Sequence, residues 1–204
     1  MTPKPQHSPP PPWSAPTPLP DRFETDRLTL RFFQPSDGEA IFNALEVDRP
    51  SFLPWLPWVL THNRSIAECI TAIEERTAKR AIPDPLADDF IIGIFDRTSG
   101  DVGGGDVVGG TGLHRINLAA HEAEIGYWIR PDRRREGLCA EAVAGLITWA
   151  FQSPSAGGWG LRRIHIRCAG ANISSQHIPT RLGLRMEGRI RHTRWTDGFG
   201  WDDT

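Results

Sequence analysis

Three strand patterns follow one another in the middle of the chain, Phe90–Phe95, Val107–Ile116 and Glu124–Ile129, and nothing else limits the fold as tightly. The first, Phe90-Ile91-Ile92-Gly93-Ile94-Phe95, reads as a buried strand. The Gly-rich stretch from Ser99 to Gly105 turns the chain back, so Val107–Ile116 pairs with it as a hairpin. Strands joined by tight turns are antiparallel, whereas a doubly wound parallel sheet needs a long crossover between neighbours. Around this run, Arg27–Phe32 and Leu161–Cys168 alternate polar and apolar residues as half-buried strands. Helices are predicted after Pro35-Ser36-Asp37, with Ala40, Ile41, Ala44 and Leu45 on one face, and after Ser65, with Glu68 at the capping-box position. Two more are predicted over 137–151 and from Asn172 to a terminating Gly183. Met186–Trp195 reads as a last strand before the turn Thr196-Asp197-Gly198. The order β-α-α-β-β-β-α-β-α-β is that of one α/β (α+β) domain with a mixed sheet.

The domain is predicted over residues 23–204. Before it, nine of the chain's 18 prolines fall within residues 1–20, which removes backbone donors and biases the segment to polyproline II. Residues 1–22 are expected to form a disordered or extended tail. Phe52-Leu53-Pro54-Trp55-Leu56-Pro57-Trp58 is apolar but broken by two prolines, so it is predicted as an aromatic loop. Composition excludes several classes. No apolar run approaches the roughly 20 residues that span a bilayer, and the first residues lack the apolar core of a secretory signal. Cys69, Cys139 and Cys168 are widely spaced, which fits a reducing, cytoplasmic setting and neither a disulfide framework nor a metal site. A formal charge of −2 excludes binding to nucleic acid through bulk charge alone, although residues 161–194 hold eight arginines against one glutamate.

The chemistry is concentrated in Ile129-Arg130-Pro131-Asp132-Arg133-Arg134-Arg135-Glu136-Gly137-Leu138-Cys139-Ala140-Glu141-Ala142. A strand ends, a short basic turn follows, and a helix begins with a glycine. Backbone N–H groups in the first turn of a helix have no intrahelical partners and lie at the positive end of its dipole. Gly137 lets the main chain approach a bulky anion, and the arginines add attraction. The segment reads as a phosphate or diphosphate site. The other readings are a solvated arginine turn before an ordinary amphipathic helix, or a nucleic-acid contact through Arg133-Arg134-Arg135.

These residues resemble the acyl-CoA loop of the GNAT acetyltransferase superfamily, Gln/Arg-x-x-Gly-x-Gly/Ala. Arg134, Gly137 and Cys139 take its fixed places; Cys139 departs from the family's Gly or Ala but is still small. Glu124–Ile129 ahead of the loop and Ala140-Glu141-Ala142 behind it are similar to the RimJ/RimL-like branch. So are Asn172-Ile173-Ser174-Ser175, Leu182-Gly183-Leu184, Glu187-Gly188, Leu56-Pro57-Trp58 and Val108-Gly109-Gly110-Thr111-Gly112. The resemblance spans roughly residues 23–199.

The resemblance implies a GNAT fold in which the strand ending near Ile129 splays from the strand 161–168. The pantetheine arm of acetyl-CoA lies in that wedge, paired with the backbone of Tyr127, Trp128 and Ile129. The diphosphate lies on the N–H groups of Arg135, Glu136, Gly137, Leu138, Cys139 and Ala140, beside Arg134. Asn172 bonds the arm or an ordered water. Ser175, on the same helical face, points at the thioester sulfur and assists the leaving thiolate. A strand N–H near Tyr127 or Trp128 meets the oxyanion. The chain's one tyrosine lies on the strand, so the tyrosine acid that other superfamily members carry on the last helix is absent. Glu124 is the candidate base; His114 and His165 are conceivable relays, and His177 and His192 weaker ones. Arg194 stands where some members of the branch place a carboxylate. Trp55 and Trp58 line the acceptor entrance, and no metal is implied.

The implied activity is transfer of an acetyl group from acetyl-CoA to a primary amine, either a protein N-terminal α-amine of the ribosomal-protein type or a small-molecule amine. A catalytically inactive acyl-CoA-binding module, and an RNA-associated protein using the arginine-rich third, are the alternatives. The family closes its sheet with a further strand after the late turn. Here that strand is expected to be short or missing, and the open edge to bring marginal stability or homodimerisation.

Overall fold

The computed structural model describes residues 9–81, 89–99 and 106–204. A six-stranded sheet carries β1 (Arg22–Glu24), β2 (Leu28–Phe32), β3 (Asp89–Asp96), β4 (Asp106–Asn117), β5 (Glu122–Ile129) and β6 (Arg163–His165), side by side in that order. Every neighbouring pair is antiparallel except β5 and β6. The three consecutive strand patterns are therefore β3, β4 and β5, as their turn chemistry requires. Residues 100–105 of the expected Gly-rich turn lie outside the described residues.

Helices cover both faces. α1 (Gly38–Glu46) and α2 (Ile66–Ala81) bury Ile41, Leu45, Cys69 and Ile73 with Phe33, Phe95 and Val107 of the sheet side. The Ser65 hydroxyl starts α2 by accepting the Glu68 N–H at 3.2 Å. α3 (Leu138–Phe151) lies on the opposite face, where Leu138, Val143, Leu146 and Trp149 join Leu28, Leu30, Ile92, Ile94 and Trp159 in the larger core. Ile178 of α4 (Ile173–Arg181) packs against that cluster. The pleat of β5 divides its side chains: Ala123, Ile125 and Ile129 face the α3 core, while Trp128 faces α1 and α2.

Three expectations need correction. Residues 9–21 of the expected disordered tail lie against the body: Trp13 is 7% exposed, its indole N–H donates to the Trp159 carbonyl (2.8 Å) and its backbone N–H to the Leu118 carbonyl (2.7 Å). One buried indole with its N–H satisfied anchors a segment that proline has already stiffened. Of Met186–Trp195 only Arg194 and Trp195 lie in a strand. Residues 185–193 are exposed throughout, so no buried face fixes a register, and the last strands are β7 (Arg194–Thr196) and β8 (Gly200–Asp202), paired in a separate two-stranded sheet. The strand read over 161–168 is only three residues long. Ile164 and Ile166 both still face the α3 core, so the alternation continues after the ladder has ended.

Candidate active site

β5 and β6 pair only through Glu122, Ala123 and Glu124 with Arg163, Ile164 and His165. From Ile125 to Ile129 the β6-facing edge of β5 has no strand beside it among the described residues. That edge opens into a cleft of about 850 Å³, lined by Gly126–Ile129, Gly137–Ala140, Cys168, Asn172 and Ser175 among others.

The floor of the cleft is the turn into α3. Arg130 and Arg133 pin it from below: Arg130 Nη1 donates to Asp106 Oδ1 at 2.6 Å and Arg133 Nη2 to Asp96 Oδ2 at 2.8 Å. Arg135 (φ 67°) and Gly137 (φ 81°) both take the left-handed conformation, and no side chain caps the helix at Gly137. Alternating hands in a short turn point successive N–H groups into one concavity, which binds anions. The Arg134 guanidinium lies over the Phe52 ring, 5.2 Å from its centroid, and donates to Ser51 Oγ at 3.0 Å. Glu136 is exposed and paired with Arg133. Thr25 Oγ1 and the Arg27 N–H donate to Glu141 from 2.6 and 2.9 Å, which fastens the first turn of α3 to β1 and β2.

The wall formed by α4 is polar. Asn172 Oδ1 accepts the Ser175 N–H at 3.1 Å and so caps the helix. Ser175 Oγ donates to Tyr127 Oη at 3.2 Å and lies 3.2 Å from Cys168 Sγ; the Tyr127 hydroxyl donates to the Ser175 carbonyl at 2.8 Å. Burial pushes the Tyr127 hydroxyl far above the ordinary phenol range, so it stays protonated. Burial pushes the Cys139 thiol up to about 12. The tyrosine set aside because it sits on a strand thus delivers its hydroxyl to the last helix from across the wedge. Side-chain reach between elements leaves no trace in spacing along the chain.

A second cavity, about 350 Å³, lies on the α1–α2 face. Phe33, Ile41, Leu56, Trp58, Ile73, Ile91 and Trp128 give it apolar walls, and Arg76, Arg80, Asp89 and His114 a polar end. His114 Nδ1 is 2.7 Å from Asp89 Oδ1. The other edge of the ring lies over Gly112 and Gly126: a Cβ on Gly112 would come within 2.9 Å of Nε2, so the bare strand is what makes room for it. The two cavities share Leu56, Gly126, Tyr127 and Trp128. Trp55 lines the cleft and Trp58 the second cavity, so the aromatic loop bridges both.

Glu124 lies elsewhere. It is 8% exposed and directly opposite His114 across the β4–β5 ladder, but it lines neither cavity. Arg115 Nη1 donates to its Oε1 at 2.6 Å, and its Oε2 is 3.3 Å from His165 Nε2. The last rung of the β5–β6 ladder closes the sheet at this level. Arg194 lines the cleft, and its Nε is buried without a hydrogen-bond partner. His177 also lines the cleft, while His192 is exposed. Among the described residues no group of His, Cys, Asp and Glu is arranged to hold a metal, and no helix is long and apolar enough to cross a membrane.

A splayed pair of strands, an uncapped glycine-led helix at its end and a second cavity across the shared strand define an acyl-CoA-dependent transferase. Residues 27–185 match the family described as acetyltransferase (GNAT) domain, and the chain belongs to it. It is an acetyl-CoA-dependent N-acetyltransferase, transferring an acetyl group to an amine. It is 28% identical over 184 residues to the uncharacterized N-acetyltransferase YoaA of Bacillus subtilis (strain 168), covering 88% of this chain and 92% of that one. It is 29% identical over 98 residues to the ribosomal-protein-serine acetyltransferase of Escherichia coli (strain K12), covering 48% and 51%. The solved structure of RimL, a ribosomal L7/L12 alpha-N-protein acetyltransferase in complex with coenzyme A, shares the fold with a TM-score of 0.73 at 18% identity, covering 90% of this chain and 94% of that one.

Proposed function

We propose that acetyl-CoA occupies the large cleft, that the amine enters the smaller cavity, and that the two react across Gly126–Trp128. The observation that carries this reading is that both cavities are lined by the same short stretch of β5. When bound, acetyl-CoA supplies an activated acyl carbonyl. The unpaired edge formed by Tyr127, Trp128 and Ile129 holds an extended arm by backbone hydrogen bonds. The N–H groups from Arg135 to Ala140 hold the diphosphate, and Arg134 adds charge. A β5 N–H at Tyr127 or Trp128 stabilises the oxyanion. The free amide end of Asn172 faces the arm.

Ser175 donates its hydroxyl hydrogen bond to the departing sulfur. Tyr127 supports Ser175 but keeps its own proton, because burial makes it too weak an acid to surrender it. The amine must be neutral to attack. His114, its Nδ1 fixed by Asp89, takes the ammonium proton at Nε2 on the acceptor side. Glu124 remains in its pair with Arg115 and sets the charge beside that histidine. The exposed Trp195 and Trp201 of the β7–β8 hairpin support the expected homodimer, which sedimentation of the intact chain tests directly.

Thiol release from acetyl-CoA in the presence of a panel of amines and free-N-terminus peptides tests the activity. Ser175→Ala is expected to lower kcat by about 100-fold while leaving acetyl-CoA affinity within a few-fold. Unchanged turnover would remove Ser175 from the mechanism.

A further inference from the structure

Arginines in this protein are mostly accounted for. Among the described residues seven are half-buried or deeper, and four of these, Arg31, Arg49, Arg130 and Arg133, are each paired with a carboxylate. Among the described residues three half-buried arginines have no carboxylate within 4.0 Å: Arg76, Arg80 and Arg194. All three line one of the two cavities. A guanidinium withdrawn from water without a counter-charge is costly, and a protein that keeps one in a cavity gains from it only when an anion arrives.

Arg76 and Arg80 are one turn apart on α2, so they present their guanidinium groups to the same side. Their present contacts are weak. Arg76 Nη1 donates to the Ala72 carbonyl at 3.1 Å. Arg80 Nη2 donates to Thr77 Oγ1 at 3.0 Å, and its guanidinium sits 4.2 Å from the Phe32 ring centroid. Burial lowers the pKa of both, against which Asp89 raises that of Arg76 only in part. Asp89 is the one carboxylate lining this cavity among the described residues, and its Oδ1 is already engaged by His114.

We propose that this polar end is an acceptor subsite for a small amine that also carries a carboxylate or phosphate group, with Arg76 and Arg80 holding the anion while the amine lies toward His114 and Gly126. The apolar walls and the volume of about 350 Å³ accommodate a compact molecule with a hydrophobic body. A bare amine would leave both guanidinium groups unpaired. The proposal rests on the assignment of this cavity to the acceptor. It adds no new chemical step: the amine nitrogen bonds to the acyl carbon, the carbon–sulfur bond breaks, and the ammonium proton leaves to the base as the sulfur departs with its electron pair.

The test uses matched pairs of amines: an aromatic amino acid against its decarboxylated amine, and an aminoalkyl phosphate against the corresponding amino alcohol. Two readouts are taken on the full chain, acetyl transfer and direct binding of the N-acetylated anionic product by calorimetry. In the wild type, one anionic member of a pair is expected to have a KM at least about tenfold below its neutral partner, as charged hydrogen bonds of this kind give. Which pair shows the preference decides between carboxylate and phosphate. Arg76→Gln and Arg80→Gln should each collapse the preference and weaken product binding, whereas Arg80→Lys should keep most of both. Retained acetyl-CoA binding shows that a variant is folded. Equal KM values within every pair, or a preference that survives both glutamine variants, would overturn the proposal. So would efficient turnover of a peptide N-terminus with none of the small anionic amines. If no amine is acetylated at all, the catalytic reading fails separately, while calorimetric binding of the product still decides the subsite.

Discussion

The large cleft and the small cavity face each other across one strand, yet they are made from different materials. The cleft is built chiefly from backbone: an unpaired edge of β5, and N–H groups in a turn where Arg135 and Gly137 are left-handed. The cavity is built from side chains on α1, α2, β3, β4 and β5, gathered from Phe33 to Trp128. A backbone site can hold the same ligand in many sequences because every residue has the same N–H and C=O. A side-chain site changes its occupant with each substitution. On the proposed assignment, the donor side defines the class of enzyme and the acceptor side decides what this one acetylates.

The largest effect that would sharpen this contrast is expected on the acceptor side. His114→Gln should lower kcat by about 100-fold or more, the usual contribution of a positioned base, with acetyl-CoA affinity unchanged by calorimetry. If Glu124→Gln produces that loss and His114→Gln does not, the proton leaves along the β5–β6 side and the two cavities do not divide the chemistry as described. On the donor side, Gly137→Val should weaken acetyl-CoA binding by about five- to thirtyfold, from the 1–2 kcal/mol that a left-handed backbone costs an L-residue. The nearest side-chain atom to a Cβ there is Arg27 Nη2 at 3.5 Å, so crowding is not the cause.

Two smaller effects, both in the first turn of α3 on the cleft side, depend on pH. Burial works against ionisation of Glu141, but hydrogen bonds from Thr25 and Arg27 hold its carboxylate below the usual range. That stability is present above the unfolded pKa and lost as pH falls through the folded one. Glu141→Gln should cost about 1 kcal/mol at neutral pH, with the gap from wild type closing in acid unfolding curves. Cys139 carries the opposite sign. Its folded pKa of about 12 lies above the unfolded value, so its contribution fades as pH rises from the unfolded pKa toward 12. Alkylation at pH 8 should leave it unmodified, and Cys139→Ala should flatten the alkaline loss of stability.

The same contrast explains what the sequence revealed. The strand, basic turn, glycine and helix of the donor side lie within fourteen consecutive residues, 129–142, so their spacing states their geometry. Ser65 as a helix start, and β3 to β5 as a hairpin run, were legible for the same local reason. Arg76 and Arg80 gave no such signal, because only the packing of α2 beside the sheet brings them to the cavity, whereas Asp89, one residue ahead of the predicted strand, meets His114 through the β3–β4 register. Trp13 was hidden in a proline-rich composition whose one large side chain decides its fate. Met186–Trp195 shows the converse error: only its last two residues lie in a strand, paired with β8, because residues 186–193 are exposed and bury no face.

Donor and acceptor are proposed to sit in two cavities that meet at Gly126–Trp128. A conjugate of coenzyme A joined through its acetyl group to an anionic amine spans both. Calorimetric titration of the wild type, Gly137→Val and Arg76→Gln proteins, with coenzyme A and with the conjugate, tests the claim most directly. The conjugate is expected to bind more tightly than coenzyme A and to be weakened by both substitutions, while coenzyme A responds to Gly137→Val alone. A conjugate no tighter than coenzyme A and indifferent to Arg76→Gln would contradict the claim.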